Sequence, residues 1–572
     1  MCGVPTERFK LLVKKHTNPD DLLDALFRQT SVASPPLCEY GNGSESGHVC
    51  SQNDTLTLSR SGIPLRRRTA VNSPIAAKPS STPCSTPHEP KHMPAAIMQL
   101  MGASKSAATF TAELAHIEEL DQALFTEYAD VITVARDLNR EVVSFQSNKT
   151  EPKYRWYKYK EAFSASLVKL LLQKYDALEG SLLDPFAGAG TALFASQALG
   201  LDAVGIELLP VGHEIIRARL LMESESRDRL ATLLRTFAEE KPWKHVAVSK
   251  RLPALRITEG AYPSDTEKAI SRYLYACDRL DEDSRTVLRF ALMCVQEDVS
   301  YTRKDGQYLR WDYRSGRRQG TRPFDKGRVL SLDDAVIPKL KEIAADTSQN
   351  YSQLFTDDVS KGSIKLYEGS CLDILPSLQT ASFQAIVTSP PYCNRYDYTR
   401  TYALELALLG VTEDGIKQLR QEMLSCTVEN RPKDLLSHNS KWSIPVSTAD
   451  NQKLLQAILA YLEKQRSEGT LNNNGIPRMV RGYFYEMACV IYECSRVLAD
   501  GSLLFMVNDN VKYAGAPIPV DLILSDIAGK LGFNVEAILV LPKGKGNSSQ
   551  QMGRHGRQTL RKCVYVWRKI GP

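Results

Sequence analysis

Five consecutive residues, Thr388-Ser389-Pro390-Pro391-Tyr392, combine a stiff backbone, a hydroxyl and an aromatic ring. The apolar run before them, Phe383-Gln384-Ala385-Ile386-Val387, predicts a short buried strand from its length and β-branched content. Neither proline has an N–H to give to a sheet ladder, so the strand must stop here. Each proline also pushes the residue before it out of the helical region. The Ser389 hydroxyl, the Ser389 and Pro390 carbonyls and the Tyr392 ring are then held at the carboxyl end of a strand, where open α/β sheets bind ligands. Rigid acceptors beside an aromatic face are suited to holding a planar amine while the ring that carries it is stacked. A tyrosine packed on an ordinary Pro-Pro turn is the alternative.

A second stretch carries complementary chemistry. Ser181-Leu182-Leu183-Asp184 predicts a strand, Pro185-Phe186-Ala187-Gly188-Ala189-Gly190 a glycine turn, and Thr191 opens a helix over 192–199. Gly188 and Gly190 let backbone approach a ligand, and the helix start offers unpaired N–H groups. The next strand, Asp202 to Glu207, ends in a carboxylate placed to accept both hydroxyls of a ribose. There is no GxGxxG and no GKS/T, which disfavours dinucleotide and triphosphate sites.

The elements that must position these motifs follow from composition and periodicity. The 572 residues, 43% hydrophobic and 24% charged, are ordinary globular values and enough for several units. The net charge of +6 is mild, so a nucleic-acid surface must be local. Twelve scattered cysteines without a CxxC pair, and nine dispersed histidines, predict buried thiols in a reducing compartment and no metal site. No apolar stretch reaches the roughly 20 residues of a membrane span, so a cytoplasmic protein is expected.

Along the chain, residues 1–30 predict a short helical segment and 31–105 a disordered Ser/Pro-rich linker that includes Arg66-Arg67-Arg68. Residues 106–150 predict a helical scaffold, with one helix over Ala112–Leu138. The α/β pattern occupies 151–210, 361–410 and 479–572, interrupted by a helical, basic insert at 211–360 and a polar, helical one at 411–478. Tyr154 to Ser164 interleaves aromatic and basic residues, with Ser164 as the cap of the following helix; ligand stacking or a core edge fits equally. Between 301 and 328 a predicted loop holds nine Lys/Arg against three Asp, and Arg303, Lys304, Arg310, Arg314, Arg317 and Arg318 are its candidate phosphate contacts. The flexible stretch Lys543 to Gln551 is a substrate contact or a solvated tip. Asp265-Thr266-Glu267-Lys268 has the look of a nuclease tetrapeptide but lacks an upstream partner.

With its strands counted, the chain resembles the S-adenosylmethionine-dependent amino-methyltransferases of DNA. Asp184 to Thr191 is similar to their cofactor motif, Thr388 to Tyr392 to their catalytic motif, Tyr157 to Val168 to their N-terminal cofactor motif, and Glu207 to their ribose-binding acid. The resemblance covers about 150–210 and 360–570. It implies an α/β fold: a Rossmann-like seven-stranded methyltransferase sheet with a terminal antiparallel hairpin and largely helical inserts. It implies Ser389, Pro390, Pro391 and Tyr392 as catalytic residues, and Phe163, Ser164, Asp184, Phe186, Gly188, Gly190, Thr191, Glu207 and Thr388 as cofactor contacts. Many relatives place an acid directly after the glycine that ends the third strand. Here Gly369 precedes Ser370, so Ser370, Cys371 or Asp373 must reach the adenine amine instead.

The implied reaction moves a methyl group from the sulfonium to the exocyclic amine of a base flipped out of double-stranded DNA. Serine in the first motif position resembles the cytosine-N4 enzymes; adenine N6, and RNA amines on the same fold, are the alternatives. A separate restriction endonuclease is a possible partner, and DNA binding would place the protein with the nucleoid.

Overall fold

The structure, a computed structural model, describes residues 112–247, 251–306, 308–348, 361–542, 545–546 and 559–571. The expectations for 1–30, for the linker including Arg66-Arg67-Arg68, and for most of the Lys543–Gln551 stretch lie outside these residues. The strands of the main sheet and of the basic insert are β1 (Ile132–Val134), β2 (Ser181–Asp184), β3 (Asp202–Glu207), β4 (Thr302–Asp305), β5 (Tyr308–Trp311), β6 (Ile364–Glu368), β7 (Phe383–Thr388), β8 (Leu498–Asp509), β9 (Phe533–Val540) and β10 (Lys562–Lys569). One sheet of eight strands has the order β1-β9-β10-β8-β7-β2-β3-β6.

From β6 to β8 every neighbouring pair is parallel; β10 runs antiparallel to both β8 and β9. β3 therefore lies on one side of β2 and β7 on the other. That divergence opens a crevice at the carboxyl ends of β2 and β7, beside which ligands sit in open α/β sheets. The expected seven strands are all present, and β1 adds a short edge strand parallel to β9.

β1 corrects the expectation of one helix over Ala112–Leu138. The helix, α1 (112–127), stops before a single 3₁₀ turn, Ala129–Val131. The β-branched run Val131-Ile132-Thr133-Val134 satisfies helical spacing on paper, but here Ile132 to Val134 pair with Ile538 to Val540.

Central strands are buried on both faces, so their residues alternate between two cores. Leu183, Ile386, Leu504 and Met506 join helices α11 (Ile476–Val497) and α12 (Val520–Lys530). Leu182, Ala385, Val387, Phe505 and Val507 face the other way, onto α2 (Ala165–Lys174) and α3 (Thr191–Gln197). Behind β3, α4 (Pro210–Leu221) leads into the first insert: α5 (Arg227–Glu240), α6 (Ser264–Asp278), α7 (Glu282–Cys294) and α8 (Leu332–Ser348), sharing a core with Trp156 and Trp243. The basic stretch read as a loop opens as an antiparallel hairpin, β4–β5, turning at Gly306 with φ +61°, and continues from Asp312 as loop around one 3₁₀ turn, Tyr313–Ser315. The second insert carries α9 (Glu413–Glu422) and α10 (Lys453–Ser467). Asp265 and Lys268 pair with each other, 3.7 Å apart, on the exposed first turn of α6.

Candidate active site

Asp184 ends β2 and Thr388 ends β7, side by side in the sheet. The Thr388 hydroxyl donates to Asp184 Oδ1 at 2.7 Å, and the Phe186 N–H donates to the same oxygen at 3.0 Å. Asp184 is 1% exposed. Burial pushes its carboxyl up to about 7, while the Thr388 and Phe186 donors pull it back. The glycine turn and the Ser-Pro-Pro-Tyr corner thus share a buried carboxylate.

The glycine turn closes over the tip of β3. Glu207 Oε2 accepts from the Gly188 N–H at 2.6 Å and Oε1 from the Leu209 N–H at 2.7 Å. Its carboxyl is likewise raised to about 7 by burial, against the pull of these N–H groups and with a further push from Asp184. Gly190 caps α3 at φ +75°, where a Cβ would come within 2.8 Å of Ile216 Cγ1. Gly190 serves the turn and its packing; the pocket itself is lined by its neighbours Ala189 and Thr191.

That pocket gathers Phe163, Asp184, Phe186, Gly188, Thr191, Glu207, Ser370, Cys371, Ser389 and Pro391. Besides Gly190, three expected cofactor contacts are off its lining, and Pro390, expected to be catalytic, is buried and lines neither this pocket nor the cleft beside it. Ser164 caps α2, accepting from the Leu167 N–H and donating to the Val142 carbonyl. Thr388 is spent on Asp184. Asp373 turns to His438, 2.9 Å away, instead of lining the pocket. The pocket also contains Tyr159 and Glu161, which lie within the Tyr157–Val168 motif without being singled out by it. It holds, too, residues that no motif announced: Leu208 and Leu209 after Glu207, and Glu422, Met423 and Leu424 at and beyond the end of α9. Ser370 Oγ donates to the Glu422 carbonyl at 3.2 Å, fastening the second insert to the pocket rim. Aromatic density between Tyr154 and Ser164 and the Tyr157–Val168 resemblance both point toward Tyr159; a polar insert offers no signal for 422–424.

Ser389 belongs to two cavities. Besides the pocket it lines, with Tyr392, an adjoining cleft of about 1020 Å³. Glu161, Phe163 and Tyr398 are also common to both. The Ser389 hydroxyl donates to Tyr392 Oη at 3.2 Å, which spends its only proton and leaves its lone pairs for another donor. Glu161 accepts from the hydroxyls of Tyr396 and Tyr402, tying the loop beyond the prolines to the segment before Phe163. Cys393 is fully buried and burial pushes its thiol up, which disqualifies it as a nucleophile.

The cations of the hairpin and of the loop after it are largely engaged within the chain. Lys304 is 8% exposed, 2.5 Å from Glu405 and 3.1 Å from Tyr157 Oη. Arg303 and Arg310 both lie over the Phe324 ring beside Asp305. Arg314 forks onto Asp312, and Arg317 covers Trp311 while donating to the carbonyls of Arg256 and Glu259. Arg318 is exposed.

A sheet of this order, with a glycine turn after its first central strand and an acid at the tip of the next, defines a Rossmann-like methyltransferase. No family model matches the chain, and no solved structure does. It is 55% identical over 455 residues to the type II methyltransferase M.AvaI of Nostoc sp. (strain PCC 7120 / SAG 25.82 / UTEX 2576), covering 79% of this chain and 94% of that protein. M.AvaI of Anabaena variabilis matches to the same extent. The type II methyltransferase M.BsoBI of Geobacillus stearothermophilus is 37% identical over 474 residues, 77% of this chain and 91% of its own. The chain belongs to the type II DNA methyltransferases.

Proposed function

We propose that this protein transfers a methyl group from S-adenosylmethionine to the N4 amine of a cytosine flipped out of double-stranded DNA, at one short sequence, as the modification half of a restriction–modification pair. The observation that carries the reading is the position of Ser389, on the pocket walled by Asp184, Gly188 and Glu207 and on the cleft walled by Tyr392.

The pocket suits S-adenosylmethionine. Its apolar sides, Phe186, Ile206 and Leu208, accept a purine ring, and the Glu207 carboxylate beside the Gly188 backbone answers a ribose. A side chain at Gly188 would crowd Tyr159, 3.3 Å from the Cβ position, so glycine keeps the cradle open. When bound, the cofactor supplies an electrophilic methyl carbon. Ser389 Oγ accepts a hydrogen bond from the target amine, which localises the amine lone pair, and the Tyr392 ring stacks on the base. The new N–C bond forms as the sulfonium C–S bond breaks to a neutral thioether, and the surplus amine proton leaves to solvent. Extrusion costs a few kcal/mol and is met by contacts in the cleft. A neutral hydroxyl at 389, where adenine-N6 relatives usually carry Asp or Asn, supports cytosine. Glu422 and the Ser370–Cys371 turn stand at the rim for the adenine amine.

Base-resolved mapping of DNA from cells expressing the protein, beside a Ser389→Ala control, tests the reading. N4-methylcytosine at one sequence, absent from the control, is expected. N6-methyladenine overturns the choice of base, and modification confined to RNA overturns the substrate.

A further inference from the structure

The cleft that meets the pocket at Ser389 is walled in part by the segment 136–158, through Arg136, Arg140, Lys149 and Lys158, and all four are exposed. Lys149 donates to the neutral amide oxygen of Gln146. For Arg136, Arg140 and Lys158 no side-chain ion pair occurs among the described residues; Lys158 acts on Asp298 only from beyond pairing distance. The carboxylates of the same cleft are occupied: Glu161 by two phenols, Asp305 by Arg303 and Arg310, Asp509 by Lys562 at 3.6 Å. The lining of the cleft therefore carries more cations than carboxylates, within the same cavity as Ser389 and Tyr392.

This wall is irregular in backbone but pinned. Asn139 Oδ1 accepts from the N–H groups of Glu141 and Val142. Buried Asn148 donates to the Phe163 carbonyl at 3.1 Å and accepts from the Ala165 N–H at 3.0 Å. Val143 and Phe145 anchor its apolar side. The backbone of this wall is bolted to the segment carrying Phe163, so the chain that bears the cations is positioned before DNA binds.

We infer that residues 136–158 form the main backbone grip on the DNA: Arg136, Arg140, Lys149 and Lys158 hold the phosphates flanking the extruded nucleotide, and the β4–β5 hairpin contributes less charge. The inference rests on the proposed function, which supplies DNA as the occupant. Cations outside ion pairs release counterions when they meet phosphate, whereas Arg314 on Asp312 has already spent much of its charge within the fold.

The test is duplex DNA binding by the full-length protein across a salt series. Each phosphate contact contributes about 0.9 to the slope of log K against log salt. Arg136→Gln/Arg140→Gln/Lys158→Gln is expected to lower that slope by roughly 2 to 3 and to weaken binding at about 0.1 M salt on the order of a hundredfold, equally for all sequences. The melting midpoint and the dissociation constant for S-adenosylmethionine should not move. Arg314→Gln/Arg317→Gln should change the slope by less than about one. An unchanged slope in the triple variant, or a larger drop from the Arg314/Arg317 variant, overturns the inference while wild-type DNA methylation leaves the function intact. A wild type that modifies only RNA, with the triple variant losing RNA affinity, overturns both.

Discussion

The Thr388 hydroxyl donates to Asp184 Oδ1 at 2.7 Å, joining residues 204 positions apart. It welds the carboxyl ends of β2 and β7, so the glycine turn and the Ser-Pro-Pro-Tyr corner cannot drift apart. Thr388→Val keeps the shape and removes this donor from a buried carboxylate. About 1–3 kcal/mol of stability should be lost at pH 8, read from denaturant melts.

The Asp184 carboxyl rises from its ordinary 3.8 to about 7 on folding, mainly through burial. A raised acid keeps its proton longer in the folded state, so unfolding releases protons between about pH 4 and 7 and stability falls as pH climbs through that window. Asp184→Asn removes the titration. Its melting midpoint should therefore decline less than wild type between about pH 5 and 7.5; parallel curves would contradict the burial effect.

Ser389→Ala deletes the acceptor shared by pocket and cleft while leaving both prolines in place. Single-turnover methylation should slow on the order of 10²-fold, with affinity for S-adenosylmethionine little changed. A comparable loss of cofactor affinity would assign Ser389 to the wrong cavity.

Lys304 belongs to the core. Lys304→Met strands the 1%-exposed Glu405 without its cation and should cost about 3–5 kcal/mol. Pairing it with Glu405→Gln should restore much of that. A Lys304 variant that folds normally and loses only DNA affinity would return this residue to the interface.

Gly190→Ala meets a left-handed backbone and a Cβ position 2.8 Å from Ile216 Cγ1. Strain and overpacking together should cost roughly 2–4 kcal/mol. Gly410→Ala, at φ +82° with open space around the Cβ position, should show the backbone part of the cost alone.

What the sequence determined by itself is local and stereochemical. Two prolines end a strand, glycines at 188 and 190 permit a left-handed turn, Ser164 caps a helix, and uninterrupted apolar runs mark strands covered on both faces. These depend on backbone geometry within a few residues, so both halves of the site were legible as motifs. Only the tertiary structure decided which side chains were spent. Helical spacing hid β1, because its hydrogen bonds go to a strand at Ile538 to Val540, far along the chain. A count of nine cations in one stretch could not reveal that most face partners inside the fold, while Arg136, Arg140 and Lys158, from an unremarkable segment, line the cleft that Ser389 also lines. Glu422 to Leu424 joined the pocket through a serine hydroxyl 52 positions earlier. Charge pairing and burial are pairwise properties of distant residues, and no local pattern encodes them.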